Sequence, residues 1–184
     1  MRSDYWDKPA FETIRPRRLT APIVFNSAHS GRDYPERFLA MTRLDQLSIR
    51  QSEDAHVDEL VARAPHLGTP LLRAHFPRAY LDVNREPWEL DPQMFDEPLS
   101  DRFNTTSPRV AAGLGTLARV VAENKPIYRE RLTLDDARMR IEGIYLPYHA
   151  TLQRLLTDAV TAFGAAVLID CHSMPRIARS GDRL

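Results

Sequence analysis

The segment "VLIDCHSMP", Val167 to Pro175, passes from three apolar residues directly into an acid, a thiol, an imidazole and a hydroxyl. A short apolar run closed by small polar residues reads as a buried strand. In open α/β sheets, ligands gather beyond the carboxyl ends of the strands. The order of Asp170, Cys171, His172 and Ser173 after such a strand therefore directs attention to what else the chain delivers to the same edge.

Working back from this strand, Gly164 closes the longest helix-compatible stretch, Leu134 to Phe163, which Pro147 interrupts once. A proline there must kink the chain or begin a second helix. Upstream, Pro22 to Phe25 reads as a strand that ends in "NSAHSG", a polar loop bearing His29. The apolar residues Leu44, Leu47, Val57, Leu60 and Val61 are spaced mainly at helical intervals, and Asp54 and Asp58 lie one turn apart. This predicts a helix over 44–64 with both carboxylates on one face. Two more strands are expected around Pro70 to Leu72 and Ala79 to Val83, the second ending in Asn84 and Arg85. The region from Asp91 to Pro108 reads as a surface loop, and the glycines of "RVAAGLGTLARVVAEN" leave that segment's type open. Strands alternating with helices predict an α/β layered domain, with a mainly parallel sheet flanked by helices.

Length and charge agree with a single domain over 1–184. The chain has 184 residues, 43% of them hydrophobic, and 25 basic residues balance 25 acidic ones. Zero formal net charge supplies no overall field for nucleic acid or an anionic membrane. The one cysteine, Cys171, cannot close an internal disulfide, and the N-terminus carries charges where a signal peptide needs an apolar core. A cytoplasmic setting is expected. No run approaches the roughly 18 apolar residues of a membrane span.

Chemistry follows from residue type. Two imidazoles and a carboxylate give a catalytic zinc three protein ligands and leave a fourth position for water. Such a metal lowers the pKa of that water and polarises a carbonyl, which suits amide hydrolysis. His29 and His172 are the candidate imidazoles and Asp54 the best carboxylate, with Asp58 and Glu53 as competitors. Asp170, two residues before His172, could orient its ring from behind. Arg85 could grip a substrate carboxylate through paired hydrogen bonds, or equally form a surface salt bridge with Glu86 or Glu89. Arg78 and Arg131 are weaker anion contacts, while Tyr148 and His149 either face the site or pack between helices. Cys171, next to His172 on an extended chain, points to the opposite face and suits a small apolar role.

Taken together, "NSAHSGRDYP", "SEDAHVDEL", "FPRAYLDVNREP", "PYHATLQRLL" and "VLIDCHSMP" resemble, in order and spacing, the N-formylglutamate amidohydrolase family, from about Ala21 to Pro175. The resemblance implies a carboxypeptidase-like (phosphorylase/hydrolase-like) α/β fold. It also implies a zinc-dependent, or other divalent-metal-dependent, hydrolase that splits N-formyl-L-glutamate into formate and glutamate, often in histidine catabolism. By motif, His29, Asp54 and His172 become the metal ligands and Asn84 and Arg85 meet the substrate's carboxylates; in the mechanism this suggests, Arg78 could join the metal in stabilising the oxyanion. Family members continue past "DCHS", and a glutamate there is the expected general base. This sequence ends at "RIARSGDRL", so the resemblance implies a C-terminally shortened domain whose base lies outside it. A shortened sheet would expose an edge and favour a homo-oligomer. Two other readings stay open: hydrolysis of a different N-acyl amino acid, and a catalytically silent domain that binds metal or amino acid.

Overall fold

The computed structural model describes residues 9–174. The charged stretch before residue 9 and the tail from residue 175 onward lie outside them. Among the described residues, no helix is long and apolar enough to cross a membrane.

In chain order, the main sheet takes β1 (Phe11–Ile14) and β2 (Ile23–Ser27). Short helices α1 (Glu36–Met41), α2 (Gln46–Ile49) and α3 (Val57–Leu60) lead to β3 (Leu71–Ala74). After α4 (Pro108–Ala111), β4 (Val120–Val121) and β5 (Lys125–Pro126) form a separate two-stranded ribbon. The chain closes with α5 (Leu134–Arg140), a π-helical turn (Ile141–Tyr145), α6 (Leu146–Phe163) and β6 (Val167–Asp170). The sheet order is β1-β3-β2-β6; β3, β2 and β6 run parallel, and β1 pairs antiparallel with β3. The fold is thus α/β with a mixed sheet flanked by helices.

The helix of residues 134–163 forms because Ala137, Ile141, Ile144, Tyr145, Tyr148, Leu152, Leu155 and Ala159 recur at three- and four-residue intervals and are all buried. Pro147 begins a second helix, as expected, within a continuous helical run. The proline lies at the start of α6, and the π-helical turn before it absorbs the missing backbone donor. Gly164 ends the helix at φ 77°, a left-handed conformation that glycine adopts without steric cost, and donates to the Val160 carbonyl at 2.8 Å. Tyr148 packs edge-on against Phe11 and Phe76. Nearby, the buried guanidinium of Arg140 lies 4.3 Å from the Tyr80 ring centroid and donates to the Tyr128 hydroxyl at 2.7 Å.

Three expectations fail. The helix over 44–64 is broken into α2, a 3-10 turn (Arg50–Ser52) and α3, and Asp54 lies in the loop between the last two. Asp45 accepts from the Leu47 and Ser48 N–H groups and starts α2, but Glu53 is extended and His56 is left-handed at φ 64°, so one helix cannot run through. Residues 79–83 form turns rather than a strand, because Tyr80 and Leu81 donate back to the Pro77 carbonyl instead of to a neighbouring strand. Finally, β6 is not buried. Among the described residues it pairs with β2 alone and forms the sheet margin, and Val167, Leu168 and Ile169 are each 38–48% exposed.

Candidate metal centre

His29 follows β2 in a loop whose conformation is set by small residues. Ser27 and Ser30 join their hydroxyls at 2.7 Å, and Ser30 Oγ accepts from the Asp58 N–H at the start of α3. Gly31 passes so close to the next loop that a Cβ there would lie 2.0 Å from the Phe76 carbonyl oxygen. The Asp54 N–H donates to the His29 carbonyl at 3.0 Å, which brings the 50s loop alongside. From the other side, β6 delivers His172.

The donors converge. One ligand atom from each of His29, Asp54 and His172 lies within 4.8 Å of the others. Asp54 Oδ2 is 2.8 Å from His172 Nδ1 and 3.5 Å from His29 Nδ1, and Ser173 Oγ donates to Asp54 Oδ1 at 3.0 Å. Behind each ring stands a carboxylate: His29 Nε2 contacts Asp82 Oδ1 at 2.8 Å, and His172 Nε2 contacts Asp170 Oδ2 at 2.9 Å. A carboxylate on Nε2 favours the tautomer that leaves the Nδ1 lone pair facing forward.

Two features fit this trio to a cation. Among the described residues, buried His29 Nδ1 makes no aligned hydrogen bond, with Asp54 Oδ2 standing off at 3.5 Å, a costly state for an imidazole nitrogen unless an ion lies between them. In addition, a carboxylate oxygen and an imidazole lone pair 2.8 Å apart need a proton or a metal between them. Electrostatics agree. Burial acts to raise the Asp54 pKa, but contacts from His29, His172 and Ser173 outweigh it and hold the carboxyl at about 2. Burial likewise acts to raise Asp82, yet the His29 bond and the charges of Arg78 and Arg85 bring it well below the usual carboxylate range. For His29, burial opposes protonation, and Asp54 and Asp82 overcome it, raising its pKa.

The rim holds the residues expected to meet an anion. Asn84 Nδ2 lies 3.3 Å from His172 Nε2. Arg78 Nε donates to Asp82 Oδ2 at 2.9 Å, and Arg85 Nε lies 3.7 Å from the same oxygen. Arg85 also donates to the Leu114 and Asn84 carbonyls; among the described residues its ion pair is with Asp82 rather than with Glu86 or Glu89, the alternative left open by the sequence. The helix clamps this segment: Tyr145 donates its hydroxyl proton to the Arg85 carbonyl, and His149 Nε2 contacts the Val83 carbonyl at 2.8 Å. Tyr148 and His149 therefore serve packing and support.

The competing carboxylates Asp58 and Glu53, and the neighbouring Glu86, are engaged elsewhere. Asp58 lies near Arg32 and Arg73, Glu53 accepts from the Tyr34 hydroxyl and Arg50, and Glu86 accepts from Asn104. Cys171 is half-buried, and burial together with Asp170 pushes its thiol pKa up, which disfavours the thiolate. Sequence reasoning missed Asp82 and Asn26. Asp82, two residues before Asn84 in "YLDVNR", could have been found by asking what would hold His29 as Asp170 holds His172.

The N-formylglutamate amidohydrolase family model matches residues 21–183. The chain belongs to the N-formylglutamate amidohydrolase family. It is 31% identical over 165 residues to the N-formylglutamate deformylase of Pseudomonas aeruginosa, covering 89% of this chain and 56% of that protein. The Pseudomonas putida protein of the same name is 29% identical over 123 residues, covering 66% of this chain and 40% of that one. The crystal structure of N-formylglutamate amidohydrolase from Ralstonia eutropha superposes with a TM-score of 0.83 at 34% identity, covering 90% of this chain and 58% of that one. A gene product of Agrobacterium tumefaciens, at 16% identity and a TM-score of 0.66, shares the fold. The amidohydrolase-family chain thus spans little more than half the length of the first of these relatives.

Proposed function

We propose that the chain forms the metal-binding part of a hydrolase that splits the N-formyl amide of N-formyl-L-glutamate into formate and L-glutamate. The observation that carries the reading is the convergence of His29 Nδ1, Asp54 Oδ2 and His172 Nδ1, with a carboxylate behind each imidazole. This donor set suits zinc or a similar divalent ion, with His29, Asp54 and His172 as its ligands. When bound, such an ion supplies a Lewis acid for the formyl carbonyl and lowers the pKa of water at the site.

The protein's own groups bind and orient. Asn84 and Arg85, held on their turn by Tyr145 and His149, meet the carboxylates of an acidic amino acid. With Arg78 Nε on Asp82, its outer nitrogens are the donors offered to the oxyanion that develops at the attacked carbonyl. Glu53 and Glu86, each engaged elsewhere, are poor acceptors for the water proton.

The test is metal analysis of the purified chain together with formate release from N-formyl-L-glutamate before and after chelation. Stoichiometric metal and chelator-sensitive formate release are expected. A metal-free chain that still releases formate would overturn the metal assignment. Metal without turnover would favour a binding domain, and faster turnover of N-acetyl or N-succinyl glutamate would change the acyl group.

A further inference from the structure

Asp82 has the richest set of polar contacts around the site. It is 3% exposed, and both carboxylate oxygens are engaged. Oδ1 meets His29 Nε2 at 2.8 Å and accepts from the Asn84 N–H at 2.9 Å. Oδ2 accepts from Arg78 Nε at 2.9 Å and lies 3.7 Å from Arg85 Nε. One buried carboxylate therefore joins the imidazole assigned to the metal to the two arginines assigned to the substrate.

We propose that Asp82 is a positioning residue that couples the two halves of the site, so that a carboxylate bound at Arg85, with Arg78 beside it, tightens metal binding at His29. The inference rests on the metal reading above. Its physical basis is competition for the arginines' charge. Arg78 is hydrogen-bonded to Asp82, and Arg85, held on the Leu114 and Asn84 carbonyls, adds its charge from 3.7 Å; with no other anion beside them they neutralise Asp82 and weaken it as a hydrogen-bond acceptor for His29 Nε2–H. An incoming carboxylate shares their charge and leaves Asp82 more electron-rich. The bond to Nε2–H strengthens, and Nδ1 becomes a better donor to the metal. Reciprocity requires the metal to tighten the carboxylate by the same factor. The same bonds set the ring's angle, because Asp82 is itself fixed by the Asn84 N–H and Arg78.

The experiment measures zinc affinity of the full chain by competition with a chromophoric chelator, with and without L-glutamate, after correction for zinc bound by free glutamate. In the wild type, L-glutamate is expected to tighten zinc several-fold. D82N, nearly isosteric, is expected to weaken zinc roughly 10- to 100-fold and to abolish the effect of glutamate, while thermal unfolding of the metal-free protein still shows a folded chain. If D82N does not fold, R78Q supplies the test. It keeps the carboxylate but removes a neutralising charge, so zinc alone binds more tightly and the glutamate increment shrinks correspondingly. A D82N protein that binds zinc as tightly as the wild type, or keeps the full glutamate increment, overturns the coupling. So does an R78Q protein whose zinc affinity is unchanged or lower. A wild type that binds no zinc instead overturns the metal reading, and this inference with it.

Discussion

Asn26 and Asp170 face each other across the β2–β6 ladder and are joined by a 2.8 Å hydrogen bond from Asn26 Nδ2 to Asp170 Oδ1. Asn26 Oδ1 in turn accepts from the hydroxyl of Tyr148, a fully buried residue of α6. Since Asp170 Oδ2 meets His172, a polar chain runs from the helical layer through two strands to a candidate ligand. Tyr148→Phe deletes the donor and strands a buried amide oxygen, so a loss of about 1–3 kcal/mol is expected in urea unfolding. Wild-type stability in that variant would show that the chain carries no strain from helix to site.

Replacing a metal donor should act more strongly than disturbing its support. Asp54→Asn, His29→Ala and His172→Ala are each expected to lower zinc affinity by more than the roughly 10- to 100-fold typical of residues that only orient a ligand. In the wild type, zinc at 100 times its Kd should stabilise the fold by about 2.7 kcal/mol. Thermal unfolding with and without zinc reads both effects, and an equal zinc-induced shift in the variants would exclude the trio.

Gly31 and Gly143 make a matched pair. A Cβ at Gly31 would strike the Phe76 carbonyl oxygen at 2.0 Å, whereas nothing lies within 4 Å of one at Gly143. Gly31→Ala is therefore expected to cost roughly 1–3 kcal/mol and, by shifting the loop of His29, to weaken zinc. Gly143→Ala should be neutral or stabilising by up to about 1 kcal/mol. Chemical denaturation compares them, and similar stability for the two variants would contradict the close approach.

Arg140 is the buried cation of the core, with its Nη1 on the Tyr80 carbonyl and the Tyr128 hydroxyl. Arg140→Met keeps most of the volume but leaves both acceptors without that donor and removes the cation from the Tyr80 face. A destabilisation of about 2 kcal/mol or more is expected, read by urea midpoint. Full stability would show that packing alone holds this layer.

Strand β6 presents exposed Val167, Leu168 and Ile169 at the margin of the sheet. Unpaired strand edges recruit other strands, and charges on them oppose this. The chain is expected to self-associate with concentration in sedimentation velocity, and Leu168→Lys to reduce that association without unfolding the monomer. Identical sedimentation of the two would exclude β6 as the contact.

Much of this arrangement was legible because strand ends and motif order are local signals. The strand before His29, the strand before His172 and the helix closed by Gly164 all announce themselves through apolar runs bounded by turn-forming residues. Asp54 stands out by residue type, but the helix expected to carry it is broken, and it lies in a loop. Periodicity suggested a continuous helix, but it cannot register a left-handed His56 or the bond from Asp54 N–H to His29 that holds the loop open. β1 escaped notice because a four-residue strand amid charges acquires meaning only when β3 pairs with it. Asp82 was missed because its role depends on a ring 53 residues away in the chain.

The exposed margin of the sheet has one more consequence. Strand β6 ends in Asp170 and leads directly into His172, while Asp54 and His29 come from buried loops. A divalent ion held by all three ligands would act as a clasp, fastening the least protected strand to the rest of the domain. Loading and edge order would then rise and fall together, and amide hydrogen exchange at Val167 to Asp170 would slow as the site fills.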